Sequence, residues 1–398
     1  MFPRRIPSTA LLPTVVTALA LVSAPWGARP AAAQTVTLGS PTAEYLEGLS
    51  FVQSLREMPD GRLLVADPLA QELFFLDMDS GTVQSIGRPG GGPMEFRQPD
   101  SVWPFGGGNS LMVDLGNARM VVLADDGSFG DTYPLVMGEP GPGSPMLLLL
   151  PQGVDGEGNV YVTQRPAFDP SGEPGDSSMV VRVSLADQRV DTVARVKTQD
   201  LTVQRSGGNV SMRQIPLSPA DAWGVAPDGR VVIARSGDYH VAWHHPDGSV
   251  VAGRPVPFEP VRIRDAEKLA YLEAASGGGI SVSIEAGGDG RRSMSLARGG
   301  GGRDDGPDLD AYEWPETMPP MTNGRINVDA RGRAWVRRNM PAGERPLYDV
   351  FGADGNRITT FELAEGRRIL GFGEGSVYVA YNDEFDLVYL ERYALPAM

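Results

Sequence analysis

Val225-Ala226-Pro227-Asp228-Gly229-Arg230-Val231-Val232-Ile233 is an apolar stretch, a tight Asp-Gly turn and a β-branched run. An Asp-Gly pair supplies the positive φ that a short hairpin needs, and the β-branched residues after it suit a pleated strand. The unit recurs. It reads Met58-Pro59-Asp60-Gly61-Arg62-Leu63-Leu64-Val65-Ala66-Asp67 near the start and Val154-Asp155-Gly156-Glu157-Gly158-Asn159-Val160-Tyr161-Val162 further on. It returns as Val328-Asp329-Ala330-Arg331-Gly332-Arg333-Ala334-Trp335-Val336. A hairpin repeated along a chain predicts propeller blades.

Six blades can be laid out, over Phe51–Ile86, Asp100–Pro134, Leu149–Val196, Ala222–Pro257, Gly324–Leu363 and Ile369–Leu395. The sixth runs out after three strands, and Gln34–Leu38 is expected to supply its fourth, closing the ring with both termini. The fold class is therefore all-β: a six-bladed β-propeller closed by N- and C-terminal strands, over residues 34–398, with a long, partly helical insertion over 258–323 between blades four and five.

Residues 1–33 read as a cleavable signal peptide. Arg4 and Arg5 precede the apolar stretch Ala10–Val22, and Ala31-Ala32-Ala33 fits a small-residue cleavage site. That stretch contains Pro13 and is shorter than the roughly 20 residues a membrane span needs. The expected location is periplasmic or secreted, with no membrane span in the mature chain. Without the leader, 32 basic residues face 50 acidic ones, a net charge of −18. Such a surface repels phosphate backbones, so nucleic acid is excluded as a partner. The chain has no cysteine, which removes disulfides, thiolate metal sites and a Cys nucleophile.

The turn acids read as structural rather than as carboxylate sites. Asp77-Met78-Asp79-Ser80-Gly81 opens like a calcium loop, but no acid falls where the closing bidentate Glu belongs. Gly87-Arg88-Pro89-Gly90-Gly91-Gly92-Pro93 lacks the Lys-Ser/Thr ending and the helix of a phosphate cradle. His240 and His244 share a strand face, while His245 points the other way, and no carboxylate nearby completes a metal site. No metal or nucleotide cofactor is indicated.

The strand register places every long connection on one face: 87–99, 133–148, 166–178, 198–219, 258–323 and 339–346. Loops on a rigid scaffold carry function, so a site is expected there. In the largest connection, Asp265–Ala275 has helical propensity and Ser276–Pro307 is Gly-rich, a composition expected to stay mobile; together they could lie over the funnel as a lid. The candidate ligand-binding residues sit around the ring near that face: Asp67, Asp114, Arg119, Arg165, Arg235, Trp335, Arg337 and Asn382. A mixed Asp/Arg funnel suits a polar or anionic ligand, with arginine making bidentate contacts.

Ile86-Gly87-Arg88, Gly92-Pro93-Met94-Glu95-Phe96, Pro99 and Met112-Val113-Asp114-Leu115-Gly116-Asn117-Ala118-Arg119 are similar to the NHL-type repeat. The stretch Gly332–Arg338, with Tyr348-Asp349-Val350-Phe351 and Asp354-Gly355, resembles the penultimate blade of exported bacterial six-bladed β-propeller proteins. The resemblance covers essentially the whole mature chain. It implies the fold and leaves the activity open. Related propellers include gluconolactonase-type lactonases and peptide α-amidating lyases, whose metal-binding sets have no residue-by-residue match here. The expectation is thus a non-enzymatic exported propeller that binds a small polar ligand or an envelope protein through its long-loop face. The alternative is a metal-dependent lactonase- or lyase-type enzyme with a carboxylate-lined central funnel.

Overall fold

The computed structural model describes Met1 and residues 35–138, 146–164, 175–206, 209–276, 279–286, 292–298 and 308–397. The leader proposed over residues 1–33 and the candidate Arg165 lie outside the described residues, as does the Gly299–Gly302 run.

Six four-stranded antiparallel units form a six-bladed β-propeller. The inner strands, blade by blade, are Leu55–Glu57, Pro99–Pro104, Gly153–Val154, Ala222–Val225, Asn327–Val328 and Arg368–Phe372. The repeated turn does what its residues predict: Gly229 sits at φ 82°, and Gly61, Gly158 and Gly332 take the same left-handed conformation. The turn acids cap these hairpins. Asp155, for example, accepts the backbone N–H of Glu157 at 3.0 Å and of Asn159 at 2.9 Å.

Packing between blades explains why second strands are apolar on both faces. In blade one, Leu63 and Val65 pack with Leu370, Tyr378 and Leu390 of blade six. Their neighbours Leu64 and Ala66 pack with Val102, Met112 and Val121 of blade two. A sheet covered on both faces needs a continuous apolar run rather than an alternating one. Each of the six interfaces between consecutive blades holds such a cluster.

The N-terminal stretch departs from the expectation. Gln34–Leu38 does not join blade six. Thr35–Thr37 instead pairs parallel to Arg357–Glu362 at the outer edge of blade five. The outer strand of the sixth sheet is Ala43–Leu49, in register with the C-terminal strand as Tyr45↔Leu390. Tyr45 and Leu49 are the residues of that strand that bury themselves against the sheet, and Thr35–Thr37 has none.

The insertion also differs from the expected mobile flap. Its helix covers Asp265–Ser276. Beyond it, Ile280–Ala286 and Arg292–Arg298 form an antiparallel hairpin. That hairpin leaves the chain between blades four and five, yet it ends against blades one and two. The Arg298 guanidinium pairs with Asp100, both side chains 5% exposed, and stacks 4.8 Å from the Phe51 ring. Gln98 grips the Arg298 backbone in both directions, accepting its N–H at 2.8 Å and donating to its carbonyl at 2.9 Å. Among the described residues no helix is long and apolar enough to cross a membrane.

Candidate functional site: an arginine in the central channel

The six inner strands enclose a cavity of about 470 Å³. Its charged lining comes from residues that the sequence reading did not single out. Arg325 precedes the inner strand of blade five, and its guanidinium lies 4.9 Å from the ring of Trp103 on blade two, across the ring of blades. One Nη donates to the Leu370 carbonyl of blade six at 3.0 Å. Trp103 is oriented by its own indole N–H, which donates to Ser101 at 3.2 Å. No carboxylate pairs with Arg325 among the described residues, and burial pulls its pKa down to about 10. The side chain is half-buried because it stands in a channel, ringed by protein but open along the axis.

Arg56 lines the same cavity. It bonds the carbonyls of Gly108 (2.9 Å) and Asn109 and the Ser110 hydroxyl, all uncharged acceptors. Burial lowers its pKa as well. Glu57 supplies the carboxylate. It accepts the Tyr378 hydroxyl and the Glu374 N–H, the latter at 3.1 Å. Burial, followed by the bond to Glu57, holds the Tyr378 phenol proton far above its usual range. Gly373 makes this approach feasible: a Cβ there would stand 1.8 Å from Glu57 Oε2. The third acid, Asp329, is consumed by Arg333 Nε (2.7 Å), Trp335 Nε1 (2.9 Å) and two backbone N–H groups.

The structure shows what the described members of the expected set do. Asp67 is buried and accepts the N–H groups of Ser50, Leu69 and Ala70 at 2.6–3.1 Å. Asp114, fully buried, accepts Arg97 N, Gln98 N, Asn117 Nδ2 and Arg119 Nε. Arg235 pairs with Asp221 at 2.9 Å. Trp335 is 1% exposed and stacks on Phe361. Asn382 accepts Arg368 Nη1 at 2.9 Å, and Arg337 is exposed. Asp114 and Arg119 bond each other; among the described residues no other two of the set do. Arg325, Trp103, Arg56 and Glu57 are not among the expected residues, most of which stand at the inward or upward ends of second strands. The available signal was a charged residue on or beside an inner strand, since inner strands line the axis.

Metal chemistry does not fit these residues. Among the described residues no three His, Asp or Glu side chains come together to hold an ion. His240 is bonded to Asp238, and the Nε2 atoms of His244 and His245 are sealed in the interior.

No family model and no curated protein matches the chain. Solved structures do. A putative exported protein from Bacteroides fragilis is 11% identical with a TM-score of 0.41, covering 92% of this chain and 95% of its own. A gluconolactonase from Xanthomonas campestris is 10% identical with a TM-score of 0.40, covering 92% and 99%. A virginiamycin B lyase from Staphylococcus aureus is 12% identical with a TM-score of 0.33, covering 91% and 99%. These likenesses concern the fold. The expectation of a non-enzymatic binding module is corrected to the extent that the similar solved structures are mainly propeller enzymes, and at these identities they assign no activity to this chain.

Proposed function

We propose that the chain is an exported enzyme of the lactonase or lyase type, acting in the central cavity on an anionic, carbonyl-bearing substrate without a carboxylate-held metal. The observation that carries this reading is Arg325, a channel cation with no carboxylate partner among the described residues. A charged group taken from water without a partner costs stability, and such groups are kept where they act on a ligand. Arg56 and Arg325 put two cations on the channel wall, which favours an anion at that place.

For a lactone, Glu57 takes a proton from water as the water oxygen bonds to the carbonyl carbon. The carbonyl electron pair moves onto oxygen, where Arg325 stabilises it. Collapse re-forms the carbonyl and breaks the ring C–O bond, and the departing alkoxide takes the proton back from Glu57. The Trp103 ring holds the arginine in place through its face. The leader over residues 1–33, the NHL-type spacing and the fastening of the ring by both termini belong to the same reading.

A panel of anionic sugar lactones and of substrates prone to β-elimination, assayed with excess chelator, tests it. Turnover that survives chelation and falls in Arg325→Gln supports the proposal. Turnover that chelator abolishes and a divalent ion restores would overturn it.

A further inference from the structure

A second chamber, of about 820 Å³, lies between blades three and four towards the long-loop face. Its volume falls within the roughly 300–1,000 Å³ typical of small-molecule sites. Its wall is unlike that of the central cavity. Gln152, Thr163, Ser178, Gln199, Gln214 and Asn323 all face it, and all are neutral hydrogen-bonding groups. The charged residues of the wall are already engaged. Lys197 Nζ is on Asp200 at 2.7 Å, and Asp221 holds Arg235 at 2.9 Å and the Lys197 N–H at 2.9 Å. Arg213 donates to the Ala311 carbonyl and lies over the Tyr312 ring.

Two groups stand out. Gln199 is 8% exposed and Ser178 is 2% exposed, and neither side chain makes a hydrogen bond among the described residues. Their polar atoms are not sealed in the interior, so they open on the chamber they line. Water reaches both groups in the open chamber, and an occupant that displaces this water has to return its hydrogen bonds. An apolar ligand would leave both unpaired. The one wall cation that no acid offsets among the described residues is Arg213, which is exposed and lies over the Tyr312 ring, away from the two groups named here. Amides and hydroxyls both donate and accept, which is what a ligand rich in C–OH groups requires.

We propose that this chamber binds a neutral, hydroxyl-rich ligand, a saccharide or polyol, through Gln199, Ser178, Gln152 and Asn323. Gln152 lines both cavities, and Asn323 and Gly324 of the chamber run directly into Arg325, so the occupant lies next to the channel. The inference does not depend on turnover, and it stands or falls apart from the reading of the central cavity.

Isothermal titration of the whole mature chain with D-glucose, cellobiose and D-sorbitol tests it. The expected result is saturable one-site binding of at least one probe at millimolar concentration, insensitive to salt. Gln199→Ala and Ser178→Ala should each weaken it about three- to tenfold, the loss of one hydrogen bond. Asn323 is exposed, so Asn323→Ala cannot disturb the core and serves as the variant if either of the others fails to fold. Arg325→Gln should leave binding intact. No saturation with any probe, binding that all three chamber variants leave unchanged, or binding that Arg325→Gln abolishes would each overturn the proposal.

Discussion

The rim carboxylates are buried and the channel arginine Arg325 is half-buried, yet they do opposite work. Asp114 has four hydrogen-bond donors around it, and Asp67 has three. Arg325 has one carbonyl and an aromatic face. The acids tie the start of one blade to the second strand of the same blade, so their charge is spent on the fold. The arginine's charge has no carboxylate to offset it among the described residues. A buried charge surrounded by partners reports on architecture, and one without a counter-charge in a cavity reports on a ligand.

The contrast can be broken by mutation. Asp114→Ala strands Arg119 and two backbone N–H groups, and is expected to cost about 3–5 kcal/mol, read as the shift in chemical denaturation. Arg298→Met leaves Asp100 buried without its cation, and should cost about 1.5–3 kcal/mol. That loss should be local: hydrogen exchange should rise in the 292–298 strand while the blades stay protected.

A smaller, pH-dependent effect is expected from the hairpin acids. Asp77 is held below the usual carboxylate range first by the backbone N–H groups of Ser80 and Asp79, and Asp247 by the Ser249 hydroxyl and N–H. A carboxyl whose folded pKa is depressed stabilises fully above its unfolded pKa of about 4, and loses that contribution as pH falls further. Unfolding followed from pH 5 to pH 2 should show stability falling below about pH 4. Asp77→Asn with Asp247→Asn should make that slope shallower. Smallest of all, Arg325→Gln should change stability by under about 1 kcal/mol in either direction, since it removes one hydrogen bond together with an unpaired charge.

The blade repeat was legible because its signals are local. An Asp-Gly turn and the strand after it lie within ten residues, as in Pro227 to Ile233. The N-terminal strand was not, because its partner is about 345 residues away in sequence. Thr35–Thr37 looks more strand-like than Ala43–Leu49, but Tyr45 and Leu49 find an apolar surface and Thr35–Thr37 does not. The hairpin over 280–298 was obscured by glycines on either side of it. At the site, Asp67 and Asp114 were rightly placed at strand ends, but a side chain's role depends on what stands opposite, and spacing does not carry that. Arg325 follows Gly324 in an otherwise unremarked stretch. Only closure of the ring brings it over Trp103.

The account rests on Arg325 being a working cation rather than a structural one. The most direct test is kcat/KM of the wild type and Arg325→Gln, with chelator present, on whichever anionic lactone or elimination substrate the panel identifies. The predicted result is a fall of about 10²–10³, as for loss of one oxyanion donor, with an unchanged unfolding midpoint. Unchanged kcat/KM in a folded Arg325→Gln protein would contradict it.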